Sequence, residues 1–162
     1  MSVTDQLVEN SKRYAQSFHK SDVPVTPAKK VAVVACMDAR LIPTRLLGLE
    51  EGDAHVIRNA GGVITDDEIR SLAISQHLLG TEEIILIHHT DCGMLSITDE
   101  EFRAKLRETC GEEPTWNIES FSDLDENVRE SIRRIGDSPF IPNKNVRGFV
   151  FDVADGSLRE VT

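Results

Sequence analysis

The sequence predicts an α/β fold: a mostly parallel central sheet of four strands, a short extra edge strand, and helices on both faces. Three observations carry this prediction. Continuous apolar runs of strand length, VAVVA at 31–35 and IILIH at 84–88, lack polar alternation, as strands buried on both faces require. Stretches of helical spacing with capping signals lie between such runs. No internal repeat or low-complexity tract interrupts the pattern, and a length of 162 residues suits one domain over 1–162.

The elements follow in chain order. Val3, Leu7, Tyr14 and Phe18 at helical spacing predict an amphipathic helix over 3–18. It has no evident place on a small sheet core, so residues 1–20 are expected to pack on a partner subunit. Pro24 and Pro27 hold the next segment extended. VAVVA is then a buried strand ending on Cys36, and Pro43 opens a short helix over 43–48. AHVIR (54–58) reads as a second strand that runs into the loop Asn59-Ala60-Gly61-Gly62. Thr65 and Glu68 form a capping box for a helix with Ile69, Leu72, Ala73 and Leu79 on its inner face, stopped by Gly80. IILIH is the third strand, with His89 and Cys92 just past its end. Thr98 and Glu101 make a second capping box, opening a helix through Leu106, before Gly111 and Pro114 break the chain. Leu124, Val128, Ile132 and Ile135 outline a helix ending at Gly136. RGFVFDV (147–153) is a fourth strand, and beyond the Asp155-Gly156 turn LREV (158–161) pairs back as the edge strand.

Composition removes several classes of function. A net charge of −10 argues against a nucleic-acid partner, which needs clustered Lys and Arg. No apolar run approaches the roughly 18 residues of a membrane span, and the first residues lack the apolar core of a secretory leader. Three widely spaced cysteines make no disulfide framework, so a reducing cytoplasm with thiols free for metal is the expected setting.

The chemistry lies in two strings, ACMDARL and HHTDCGM. Cys36, His89 and Cys92 offer two thiolates and an imidazole, the donors of a tetrahedral zinc with one open position. No further Cys or His at ligand spacing closes the set, as a structural zinc would require. His88 and His89 compete for the imidazole role. Strand alternation sends only one of them toward Cys92, and the His-x-x-Cys spacing favours His89. Cys36 and His89 lie 53 positions apart, yet both follow buried strands, and in parallel sheets sites form at the carboxyl ends of strands. If the two strands are neighbours, the ligands meet. Cys110 lacks a partner at ligand spacing and reads as non-catalytic, Trp116 as a packing residue, and His77 as solvated. None of His19, His55 and His77 is assigned as a proton shuttle.

The strings CMDAR, RNAGG and HHTDCG, in this order and spacing, resemble the β-class carbonic anhydrases, in particular their compact prokaryotic subgroup. The resemblance implies one Zn²⁺ per chain held by Cys36, His89 and Cys92, and reversible hydration of CO₂ to bicarbonate. It also implies Asp38 and Arg40 as a hydrogen-bonded catalytic dyad. In an open state Arg40 holds Asp38 back and water takes the fourth zinc position; in a closed state Asp38 itself is a metal ligand. The loop with Asn59, Gly61 and Gly62 is placed against the active-site floor, where it contacts substrate. A homodimer or homotetramer is implied as well. Two other readings share the site: a zinc hydrolase of a related small molecule such as CS₂, and a catalytically silent zinc- or bicarbonate-binding module.

Overall fold

A computed structural model describes residues 1–162. The chain runs α1 (Val3–Gln16), β1 (Val31–Cys36), α2 (Pro43–Leu47), β2 (Ala54–Asn59), α3 (Asp66–Leu79), β3 (Glu83–His89), α4 (Asp99–Cys110), α5 (Leu124–Asp137), β4 (Asn145–Phe151) and β5 (Leu158–Val161), with short 3₁₀ turns at Ala60–Gly62 and Gly93–Leu95. The strands form one sheet in the order β2-β1-β3-β4-β5. The first four are parallel and β5 returns antiparallel on β4, as the sequence predicts.

Every residue of β1 is buried, which is why its run is uniformly apolar. One face of the sheet carries Ala32, Val34, Ile84 and Leu86 under Ile64 and Leu72 from the α3 region, with Ile135 of α5 and Ile141. The other face carries Val33, Ala35 and Ile87 under Leu41, with Leu46, Leu47, Met94, Leu95 and Phe121 at its margin. Helices therefore cover both faces, and the second is the face on which Cys36 and Cys92 lie.

Several boundaries differ from the predicted ones. β1 takes in Cys36 and β3 takes in His89, because the ladders continue there: Cys36 pairs with Asn59, and His89 with Phe151. β4 spans 145–151 rather than 147–153, since Asp152 turns out of the sheet to bond Ser157 and Gly156. α1 stops at Gln16, not residue 18, and α4 continues past Leu106 to Cys110, where Gly111 at φ 77° supplies the left-handed stop. Gly136 lies inside α5, which ends at Asp137. The inner face of α3 is more polar than its pattern suggests: Ser75 and Gln76 are buried beside Leu72, while Leu79 is half-buried. Ser75 is paired with His55 and Thr81, and Gln76 clamps the backbone of Asn143 through both its amide atoms. Trp116 is not a packing residue; it is 57% exposed, on the edge of a cleft of about 980 Å³.

No helix is long and apolar enough to cross a membrane. α1 has no buried residue, and Tyr14, donating to Glu51, is one of few ties to the rest of the chain.

Across the α5–β5 contact, Arg159 donates to both oxygens of Asp125, at 2.9 and 2.5 Å. That pairing holds the Asp125 carboxyl below its ordinary value of 3.8. Its folded value lies below the unfolded one, so the stabilisation is present above about pH 4 and lost as pH falls through the lower folded value. Urea titrations should find Asp125→Asn less stable than the parent at pH 7 by up to ~1 kcal/mol, with the gap closing on acidification.

Candidate metal centre

The centre forms where β1 and β3 end side by side. Their register pairs Ala35 with Ile87, so Cys36 and His89 leave neighbouring strands at nearly the same height. Cys92 arrives three residues after His89 through a turn in which Asp91 takes a left-handed φ of 54°. Alternation along β3 sends His88 to the α5 face, where its ring bonds Asn127 Oδ1 at 2.7 Å, and His89 to the opposite face.

One sulfur from each cysteine and one ring nitrogen from His89 lie within 4.8 Å of one another, and all three residues are buried. The two sulfurs are 4.0 Å apart. Two thiolates on one tetrahedral zinc, each at ~2.3 Å, stand about 3.8 Å apart. The His89 tautomer fits too: Nδ1 donates to the Thr90 carbonyl at 2.8 Å, which leaves Nε2 as a bare lone pair. That Nε2 is buried without a hydrogen-bond partner. A buried acceptor left unpaired is costly unless a cation meets it. The donor set therefore fits a soft or borderline divalent metal.

The electrostatics agree. The Cys92 thiol, hydrogen-bonded to Cys36, pulls the Cys36 thiol well below its ordinary range against the opposing effect of burial, and His89 and the backbone amides of Asp38 and Gly61 add to that pull. The same contact, together with burial, pushes Cys92 up. Burial disfavours a charged His89, but Cys36, the Thr90 carbonyl and Asp38 outweigh it and raise its pKa. The centre thus gathers two thiols, an imidazole and a carboxylate around one point, where their shared effect favours positive charge.

Asp38 stands beside this group. Its Oδ2 is 3.7 Å from His89 Nε2, and Arg40 grips it from three donors: the backbone N–H and Nε on Oδ1 at 2.8 and 3.0 Å, and Nη2 on Oδ2 at 2.9 Å. Those bonds hold the Asp38 carboxyl well below the usual carboxylate range. Arg40 also reaches Asp91, through Nη1 to Oδ2 at 2.8 Å and Nη2 to its carbonyl at 3.1 Å. It therefore ties the loop after β1 to the loop after β3.

The Asn59–Gly62 loop packs behind Cys36. Asn59 turns its amide onto the Val63 carbonyl at 2.8 Å, and Gly61 and Gly62 are buried at φ 86° and 70°. A Cβ on Gly62 would come within 2.8 Å of the Cys36 amide nitrogen. Two features of the site are not apparent in the residue pattern. One is the Arg40–Asp91 bridge, and the other is Arg58, which binds the carbonyls of Cys36, Asp38 and Leu41. A lone Arg in an apolar strand just before a Gly-Gly loop is the signal that points to the second.

A family model described as carbonic anhydrase matches residues 31–158. β-Carbonic anhydrase 1 of Mycobacterium tuberculosis is 58% identical over 100% of this chain and 99% of its own. A carbon disulfide hydrolase of Acidithiobacillus thiooxidans is 31% identical over 98% of this chain and 90% of its own. Among solved structures, carbonic anhydrase from Streptococcus mutans superimposes with a TM-score of 0.95 at 41% identity, covering 100% of this chain and 99% of that one.

Gly62→Ala should cost about 1–3 kcal/mol of stability, because its Cβ meets backbone and its φ is left-handed. Urea denaturation of the metal-free protein measures this, and a change within about 0.5 kcal/mol would contradict the packing described here.

Proposed function

The chain belongs to the β-class carbonic anhydrase family, and from that premise we propose that it hydrates CO₂ reversibly through one Zn²⁺ held by Cys36, His89 and Cys92. The observation that carries this reading is the convergence of two sulfurs and an unpartnered His89 Nε2 next to an arginine-held carboxylate. When bound, zinc supplies the Lewis acidity that makes water nucleophilic, and two thiolates leave it a weaker acid than the three imidazoles of the familiar tri-histidine carbonic anhydrases.

The chain's own residues do the rest. Asp38 stays ionised under Arg40's grip and is therefore a hydrogen-bond acceptor only. Accepting from the attacking water at Oδ2, it orients that water's lone pair toward the carbon of CO₂. For Asp38 to become a fourth metal ligand, Arg40 must release it, and Arg40's bonds to Asp91 resist that movement. Met94, Leu95 and Phe121 pack against the cysteine cluster and give apolar surface to a small uncharged substrate. The family resemblance assigns Asn59, Gly61 and Gly62 to the substrate floor, and of the three Gly61 lies against the apolar side chains of Met94 and Phe121.

Residues 1–162 act in this reading as one unit. Val3, Leu7, Val8, Tyr14 and Phe18 are 43–71% exposed around α1, and we assign that apolar surface to a second copy in a homodimer or homotetramer. All three cysteines are unpaired, which suits a cytoplasmic location.

Stopped-flow assays on one zinc-loaded sample with CO₂ and with CS₂ test the reading, since the 31%-identical relative is a carbon disulfide hydrolase. CO₂ turnover with little or none on CS₂ is the expected result; turnover of CS₂ alone would make the chain a hydrolase, and stoichiometric zinc with turnover of neither would leave a silent binding module. Because two thiolates weaken the metal's acidity, CO₂ hydration should rise from about pH 6.5 to about 9, and a flat profile contradicts the assigned ligands. Cys36→Ser should lose zinc and activity together, by chelator competition and metal analysis. Asp38→Ala should keep zinc and lose activity by roughly 10²-fold or more.

A further inference from the structure

Arg58 has a role that neither the metal ligands nor the Asp38–Arg40 pair accounts for. It forms no ion pair with any carboxylate; its partners are backbone carbonyls. Nη2 lies 2.8 Å from the oxygens of Cys36, Asp38 and Leu41, and Nε lies 3.0 Å from the Cys36 oxygen. We propose that Arg58 is a positioning residue for the metal centre, fixing the 36–41 loop so that the Cys36 sulfur and the Asp38 carboxylate face the same point. This rests on the assignment of Cys36 as a ligand.

The need for such a residue follows from where the sheet stops. Arg58 pairs with Ala35 in the β1–β2 register, and the ladder gives one last backbone bond beyond Cys36, from the Met37 amide to Asn59 at 2.8 Å. After that the chain leaves β2, and the turn bond from the Leu41 amide to the Asp38 carbonyl is its main internal tie. Three carbonyls from this excursion converge on one spot. Their negative ends repel one another unless a donor-rich cation sits between them. Nη2 carries two hydrogens for three oxygens, so at least one is shared, and the charge spreads over a plane that suits this arrangement.

With the backbone fixed at 36, 38 and 41, the intervening amides are aimed as well. The Asp38 amide faces the Cys36 sulfur, and the Arg40 amide donates to Asp38 Oδ1 at 2.8 Å. A lysine cannot reproduce this, because an ammonium is a point charge without a planar fork. Arg58 therefore acts through geometry, and its partner groups are those that carry the sulfur and the carboxylate.

Arg103 provides an internal control. It too binds carbonyls, those of Pro114 and Trp116 at 2.8 and 3.3 Å, but in a segment that carries none of the assigned ligands. The test compares Arg58→Ala, Arg58→Lys and Arg103→Ala with the parent by Zn²⁺ affinity under chelator competition, by kcat and KM, and by thermal unfolding of the metal-free chain. Both Arg58 variants should bind zinc about 10–100-fold more weakly, with kcat falling and KM for CO₂ little changed. Added guanidinium ion, at millimolar concentrations too low to denature, should restore zinc affinity to Arg58→Ala and not to Arg58→Lys. Arg103→Ala should match the parent in zinc affinity and kcat.

Zinc affinity and kcat within about twofold of the parent in Arg58→Ala would overturn the proposal. Parent-like behaviour of Arg58→Lys would also overturn it, because charge alone would then suffice; that variant decides the matter if Arg58→Ala does not fold. A loss in Arg103→Ala equal to that in Arg58→Ala would reduce the effect to general stability. If the parent itself binds no zinc, the assignment of the metal centre fails first, and that result is distinguishable from all of these.

Discussion

Parallel hydrogen bonds between β1 and β3 set Val31 against Glu83 and Ala35 against Ile87, and the metal centre rests on that register. A slip of two residues along the strand direction would move Cys36 by more than 6 Å, further than the whole spread of the three donor atoms. A slip of one would turn His89 toward α5 and His88 toward the sulfurs. The register holds because both strands are buried on two faces, where any slip places the wrong side chains in packed layers.

Around that register the site is built in shells. The sulfurs and His89 Nε2 face one another, and the unpaired nitrogen gives the pocket its preference for a cation. Outside them, Arg40 holds Asp38 and spans to Asp91, so one guanidinium governs both a carboxylate's ionisation and the spacing of two loops. A second guanidinium, from Arg58, works on backbone alone. Gly61 and Gly62 make the shells possible, because a side chain at Gly62 would collide with the Cys36 backbone.

Much of this was legible in the residues. Continuous apolar runs located β1 and β3, capping boxes located α3 and α4, and the Cys-x-Asp-x-Arg and His-x-x-Cys spacings located the cluster that could hold a metal. The readings that failed did so for identifiable reasons. Trp116 suggests a packing residue because aromatics usually bury, yet it is exposed and lines a cleft. The helical pattern points Leu79 inward, but hydrogen bonds let Ser75 and Gln76 occupy that side. β4 lies two residues earlier than the pattern suggests, because the apolar run around Phe149–Val153 does not mark where the Asp152–Ser157 turn bonds end the strand.

The sequence by itself determined the fold class, the order of elements and the identities of the residues that gather at the ends of β1 and β3. These depend on local pattern and on side-chain chemistry, which neighbouring residues express. Tertiary structure decided three things: that β1 and β3 are adjacent, that Nε2 rather than Nδ1 of His89 is left bare, and that Arg40 and Arg58 take long-range partners. Each depends on atoms far apart in the chain coming within hydrogen-bonding distance. No spacing rule encodes that, because strand order and the hydrogen bonds it permits are set by the packing of the whole core.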